Sequence, residues 1–165
     1  MTTLHRDPIE AAHQNWVEHG WAGAADGMVA ITSLMRAQQI ALARVEAVLK
    51  PMGVTFSRYE LLMLLVFSKR GALPMSVVSS RLQVHQSSVT NAVDRLEGAG
   101  LVSRLPHPED RRATLVEITQ AGRSLAAEAT DRLNAEVFGD LGLSDDDITD
   151  LVRILTTMRR SAGDF

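Results

Sequence analysis

Between Gln86 and Arg112 the chain gathers side chains suited to one kind of chemistry, hydrogen bonding to planar polar edges and to anionic oxygen. Gln86, Ser87, Ser88, Thr90, Asn91 and Arg95 follow one another closely. At helical spacing Ser87, Asn91, Asp94 and Arg95 share one side, and Gln86, Ser88 and Thr90 sit at the N-terminal end. Short or planar donors and acceptors of this kind match base edges and phosphates. A helix N-terminus, with free N–H groups and a partial positive charge, favours phosphate. Gln86, Ser87 and Asn91 are therefore candidates for base edges, and Ser88, Thr90 and Arg95 for phosphate contact or positioning. Arg111 and Arg112 follow Pro108, Glu109 and Asp110 in a loop. Guanidinium groups are drawn to the negative potential of a minor groove, and a nearby carboxylate holds their planar fork in one direction. The plainer readings are Ser and Thr caps and an exposed ion pair, which contributes little by itself.

Such side chains need a rigid frame, and the flanking sequence supplies one. Val89, Val93 and Leu96 give the Gln86 to Glu97 helix an apolar back, and Gly98-Ala99-Gly100 ends it. Two strand-like runs follow, Leu101 to Leu105 and Ala113 to Ile118, with Pro106 and Pro108 stiffening the connection. Upstream, Met75 to Leu82 reads as a short helix, with Val78 and Leu82 facing the apolar back of the next. Gln83-Val84-His85 is the turn between them; glutamine stands where glycine would accept positive φ without strain.

These pieces resemble the MarR family of bacterial transcription regulators. The resemblance rests on Val93-Asp94-Arg95-Leu96-Glu97, Gly100-Leu101-Val102-Ser103-Arg104, Asp110-Arg111-Arg112, and Leu115-Val116-Glu117-Ile118-Thr119 with Gly122. It covers roughly residues 24 to 160. It implies a mainly α fold: a winged helix-turn-helix with a small β-hairpin wing, plus long N- and C-terminal dimerisation helices. It also implies that Arg112 enters the minor groove with Asp110 orienting it, and that Asp94 or Arg95 supports the fold around the wing. Arg111 has no counterpart role in the resemblance and is expected to meet phosphate. The implied function is sequence-specific binding of double-stranded DNA by a homodimer. Two-fold symmetry then predicts an inverted-repeat operator with half-sites ~34 Å apart, and repression by promoter occlusion. A small aromatic or anionic effector between dimer arm and DNA-binding lobe would release DNA by linkage. Trp16, Met28, Met35, Arg36, Phe56, Arg58 and Tyr59 lie on elements that line such a pocket in the family, although core or surface roles compete for each. Constitutive binding without an effector is the alternative.

The remaining chain divides into an N-terminal extension and long helix over 1–50, the DNA-binding lobe over 51–119, and C-terminal dimerisation helices over 120–165. Pro8 predicts a helix to Glu18, ended by Gly20, with Ile9, Ala12, Trp16 and Val17 on one face. Ala22 to Lys50 reads as a helix striped by Met28, Ile31, Met35, Leu42, Val45 and Leu49. Pro51 is expected to stop it, pushing Lys50 out of helical geometry. A helix of that length spans ~40 Å, more than one small core covers, so part of it should lie against a second copy. Thr55 to Arg70 is the next helix, with a Ser57–Glu60 capping box or Thr55 as rival cap, and a nearly all-round apolar surface including Phe67. A further helix runs from Thr119 or Gln120 to about Leu141. Ser144 then caps a last helix, its aspartates suiting the positive end of the dipole and Arg159 and Arg160 the other. Ile148, Leu151, Val152, Leu155 and Met158 form its stripe.

Composition narrows the classes. The chain has 165 residues, no cysteine and a net charge of −3. The absence of cysteine excludes a disulfide framework and a thiol switch, and the net charge argues against binding of nucleic acid through bulk charge alone. Charge is segregated instead, with seven basic and four acidic side chains from Lys69 to Arg112, and four and eight from Thr130 to Phe165. No leader or membrane-length apolar run is visible, so a soluble cytoplasmic protein is expected. No nucleophile–base set, phosphate loop or cofactor motif points to an enzyme. His13 and His19 fall on different faces of one helix, which disfavours a metal site, and Asp145–Asp147 lacks the spacing of a calcium loop. The rival to a regulator is a winged helix used as an architectural or protein-interaction module.

Overall fold

The computed structural model describes residues 6–83, 85–108 and 113–165. The chain forms two compact units, Met1–Phe56 and Ser57–Phe165. The first holds α1 (Pro8–Glu18) and α2 (Ala22–Leu49). Asp7 caps α1 by accepting the Ile9 N–H, Pro8 occupies its first turn, and Gly20 leaves it at φ 85°. Trp16 packs edge-on against Trp21, ring centroids 5.0 Å apart, and His19 stacks on Trp21. In α2 only Ala25, Val45, Val48 and Leu49 are buried, while Ile31, Met35, Ile40 and Leu42 are exposed.

Pro51 does not act as expected. Lys50 stays helical at φ −58°, ψ −42° and donates its N–H to Glu46. The helix tightens into a 3-10 turn, Lys50–Met52, and Gly53 at φ 76° ends it. A 3-10 turn accepts proline in its first positions, where the missing N–H has no partner to lose.

The second unit holds α3 (Phe56–Val66), β1 (Ala72–Pro74), α4 (Met75–Leu82), α5 (Gln86–Gly98), β2 (Val102–Pro106), β3 (Thr114–Ile118), α6 (Gln120–Leu133) and α7 (Asp145–Ser161). Helix α3 is shorter than its apolar run. It starts at Phe56, whose N–H is taken by the Glu46 carboxylate at 2.8 Å, so Ser57 lies inside the first turn and not at the cap. It ends at Val66, and Phe67 lies beyond it, 78% exposed. Tyr59, Leu61, Leu62 and Leu65 remain central and buried.

The sheet has three antiparallel strands in the order β1-β3-β2. Val102 pairs with Ile118 and Pro106 with Thr114 across the wing, while Ala72 pairs with Glu117 on the other side of β3. Val78, Val89, Val93, Leu96, Val102 and Val116 form the core between α4, α5 and the sheet. Thr119 caps α6 through the Gly122 N–H. Helix α6 continues into a single π-turn, Asn134–Phe138, which ends the helical run close to the expected Leu141. Helix α7 has the capping box of Ser144 and Asp147. None of its residues is buried; Leu151, Val152, Ile154 and Met158 are exposed.

Candidate nucleic-acid interface

Helix α5 buries Val89, Val93 and Leu96 and turns its polar residues outward, because the two sets alternate at helical spacing. Ser87, Thr90, Asn91, Asp94 and Arg95 line one shallow hollow on the outer face. Gln86 and Thr90 also border a groove between α5 and the wing, with Ser76, Arg104 and Thr114 opposite. The Thr90 hydroxyl donates back to the Gln86 carbonyl at 3.0 Å. Ser88 is exposed on another side, near Ser57 and Glu60 of α3. So Gln86, Ser87, Thr90, Asn91 and Arg95 come together, and Ser88 stands apart. Burial pushes the Glu60 carboxyl above the ordinary carboxylate range.

The start of α5 is built by a residue that the sequence reading passed over. His85 takes the cap position, and its Nδ1 lies 3.3 Å from the Ser87 N–H and 2.8 Å from the Ser87 hydroxyl. Gln83 before it adopts φ 52°, the left-handed conformation this turn requires. Its side-chain amide donates to the Asp164 carbonyl at 2.9 Å.

A second overlooked residue joins helix to wing. Arg104 on β2 donates to Asp94 at 2.6 Å and to Glu97 on α5, and its backbone N–H donates to Glu97 at 3.1 Å. Burial alone would lower the Arg104 pKa. The hydrogen bonds and charges of Asp94 and Glu97 outweigh it and hold the guanidinium above its ordinary range. Of the two residues expected to support the wing, Asp94 does so. Arg104 was visible in the Gly100–Arg104 motif, but its partners lie across a turn that spacing does not resolve. Asp110, Arg111 and Arg112 lie outside the described residues.

The effector candidates are placed as follows. In the first unit Trp16 is half-buried against Trp21, Met35 is exposed, Arg36 reaches Gln39, and Phe56 is half-buried at the start of α3. In the second, Arg58 is half-buried, and Tyr59 is buried with its hydroxyl 2.9 Å from that of Thr130. Beside this pair α3 and α6 border an open hollow of about 260 Å³, walled by Met63, Val66, Ala126 and Ala127 and edged by Arg123 and Asp131. The Arg123 guanidinium occupies the space over Gly71 that a Cβ would need.

His13 pairs with Asp26 at 3.1 Å. Among the described residues no three His, Asp or Glu side chains could share a metal, and no helix is long and apolar enough to cross a membrane.

A model of the MarR family matches residues 54–114, from the end of α2's connection to the start of β3. A MarR family transcriptional regulator from Streptomyces coelicolor, Sco5413, is 49% identical in sequence. It aligns over 85% of this chain and 97% of its own, with a TM-score of 0.77. BpsR from Bordetella bronchiseptica, whose DNA binding is regulated by 6-hydroxynicotinic acid, is 25% identical over 77% of this chain and 90% of its own, with a TM-score of 0.69. YhbI, an HTH-type transcriptional regulator of Bacillus subtilis strain 168, is 31% identical over 84 residues, 51% of this chain and 53% of that protein. The chain thus spans about half the length of the curated relatives it matches. Fold, motif order and the similarity to Sco5413 agree, and the chain belongs to the MarR family of winged-helix transcriptional regulators.

Proposed function

We propose that the protein binds double-stranded DNA sequence-specifically as a homodimer, represses transcription from an inverted-repeat operator, and is released by a small planar anion. The observation that carries the DNA reading is the outer face of α5, where Gln86, Ser87, Thr90, Asn91 and Arg95 are exposed together above a buried apolar back. The homodimer reading rests on the uncovered apolar residues of α2 and α7, because a monomer leaves Ile31, Met35, Leu151 and Val152 in water. An isologous contact between two copies would cover both stripes and present two recognition helices.

Binding to the promoter region beside the protein's own gene, against scrambled DNA over a salt series, tests this reading. A preference of ~10³ or more for the native region, with steep salt dependence, is expected. Equal binding to both would favour the architectural module. In the same assay Arg112→Ala is expected to weaken operator binding at least ~10-fold and to leave the dimer mass in solution unchanged. Unaltered affinity would remove the wing arginine from the mechanism.

The effector reading rests on the hollow between α3 and α6, apolar along its walls, with the Arg123 guanidinium and the Asp131 carboxylate at its edge. That combination suits a small aromatic carboxylate, the ring against Met63 and Val66 and the carboxylate on arginine. Titrating benzoate-type and hydroxynicotinate-type acids into the DNA complex should release DNA, and Arg123→Gln should abolish the release without altering DNA affinity in the absence of acid. Release that survives Arg123→Gln would place the effector elsewhere.

A further inference from the structure

The cap of the recognition helix determines which way its hydrogen bonds can point. A backbone N–H can only donate, so the contact between the Ser87 N–H and His85 Nδ1 requires Nδ1 to be the ring's unprotonated nitrogen. The neutral ring then carries its proton on Nε2. In that tautomer the Ser87 hydroxyl, 2.8 Å from the same Nδ1, is the donor, and the single lone pair of Nδ1 is shared between it and the Ser87 N–H. Two consequences follow for the exposed surface. Ser87 Oγ, its only proton spent internally, offers lone pairs alone. His85 Nε2–H is a donor with no acceptor capacity, carried on a ring exposed at the start of α5.

We propose that His85 and Ser87 form one reading unit: Ser87 accepts a hydrogen bond from the exocyclic amino group of adenine or cytosine, and His85 donates Nε2–H to a backbone phosphate. The proposal rests on the DNA-binding reading of α5 and assigns His85 a contact beyond it. An acceptor-only hydroxyl distinguishes bases. In the major groove adenine N6 and cytosine N4 are donors, whereas guanine O6 and N7 and thymine O4 are acceptors that would face lone pairs. A neutral N–H on phosphate adds affinity without reading sequence and without releasing a counterion.

The test uses the full-length protein and a duplex selected by it from a randomised pool. Affinity is measured on that duplex and on single-base variants, at several salt concentrations. Ser87→Ala is expected to lose about fivefold or more on the selected duplex and to flatten the preference at one base pair per half-site, the pair that presented the amine. His85→Ser keeps a capping oxygen at the helix start, so the fold is maintained. It is expected to weaken binding about fivefold with the slope of log K against log salt unchanged, and to relax the preference at the same base pair, because Ser87 regains a free proton once His85 is gone. In the double variant the two losses should fall short of their product, because His85→Ser alone already frees the Ser87 proton and so removes part of the discrimination that Ser87→Ala removes. Wild-type affinity for His85→Ser, a slope reduced by about one per contact, or a uniform loss for Ser87→Ala would each overturn the proposal. A wild-type protein that selects no sequence overturns the DNA reading itself, and the unit with it.

Discussion

Gly122→Ala is expected to cost ~3 kcal/mol or more, seen as a fall in Tm of roughly 6–12 °C. On propensity alone the substitution should help, since alanine is favoured over glycine in a helix interior by ~1 kcal/mol. The packing reverses the sign. A Cβ at Gly122 would overlap the Leu101 carbonyl oxygen and come within 2.8 Å of Ile118 Cγ1. The carbonyl cannot move aside, because it already accepts the Thr119 N–H at 3.1 Å. Thr119 in turn gives its hydroxyl proton to Gly100 and accepts the Gly122 N–H. The start of α6, the end of α5 and the base of the wing therefore meet at one point where only hydrogen fits. Relief by tilting α6 would strain all three, so thermal unfolding should separate Gly122→Ala clearly from a control such as Gly23→Ala, where a Cβ meets nothing within 4 Å. An unchanged Tm would mean that α6 slides freely on the wing.

The second large effect is expected at Arg104. Removing its guanidinium leaves Asp94 and Glu97 facing one another one turn apart and cuts the link between β2 and α5. Arg104→Met keeps the apolar stem and should cost ~2 kcal/mol of stability, the scale for breaking a partly buried charged network. On the proposed DNA-binding reading, in which helix and wing reach adjacent grooves at one spacing, DNA affinity should fall by a further ~10-fold, because a loosened wing pays that ordering at binding. Arg104→Lys should recover only part of either loss, since a point charge cannot bridge two carboxylates as a planar fork does. A direct phosphate contact by Arg104 would also lower affinity, and Asp94→Asn separates the two. Freeing the arginine would strengthen binding if it touched DNA and weaken it if it clasps the wing. Stronger binding by Asp94→Asn would sink the clasp.

The legible parts of the fold were those set by local chemistry. Pro8 and Gly20 bracket α1, Met75–Leu82 has its expected ends, and Ser144 with Asp147 caps α7. Each depends on residues within one or two turns. The parts that escaped depend on distant partners. Three-residue β1 exists because Ala72 and Pro74 find β3, more than forty residues on, and no pattern in Ala-Leu-Pro announces it. Helix α3 ends at Val66 although Phe67 continues the apolar run, because packing ended and hydropathy did not. Lys50 kept helical geometry before Pro51 because the chain could tighten there. In the interface the polar face of α5 followed from spacing. His85 escaped because histidine is an uncommon cap, and the Arg104 clasp escaped because it closes across the turn at Gly100.

Helix α7 is 17 residues long, and none of them is buried. Helices in proteins draw most of their stability from packing of an amphipathic face and little from propensity, so most of what orders α7 must come from whatever covers its apolar stripe. With a second copy as that cover, the number of molecules in the cell enters the folding equilibrium of each one. Diluted below the dissociation constant of the dimer, the chain would hold α7 as a fraying, cleavable segment, and proteolysis would draw off the surplus monomer. Abundance and lifetime would then rise together. A regulator built this way disappears faster the scarcer it becomes, which sharpens the transition between an occupied and an empty promoter beyond what DNA affinity alone provides.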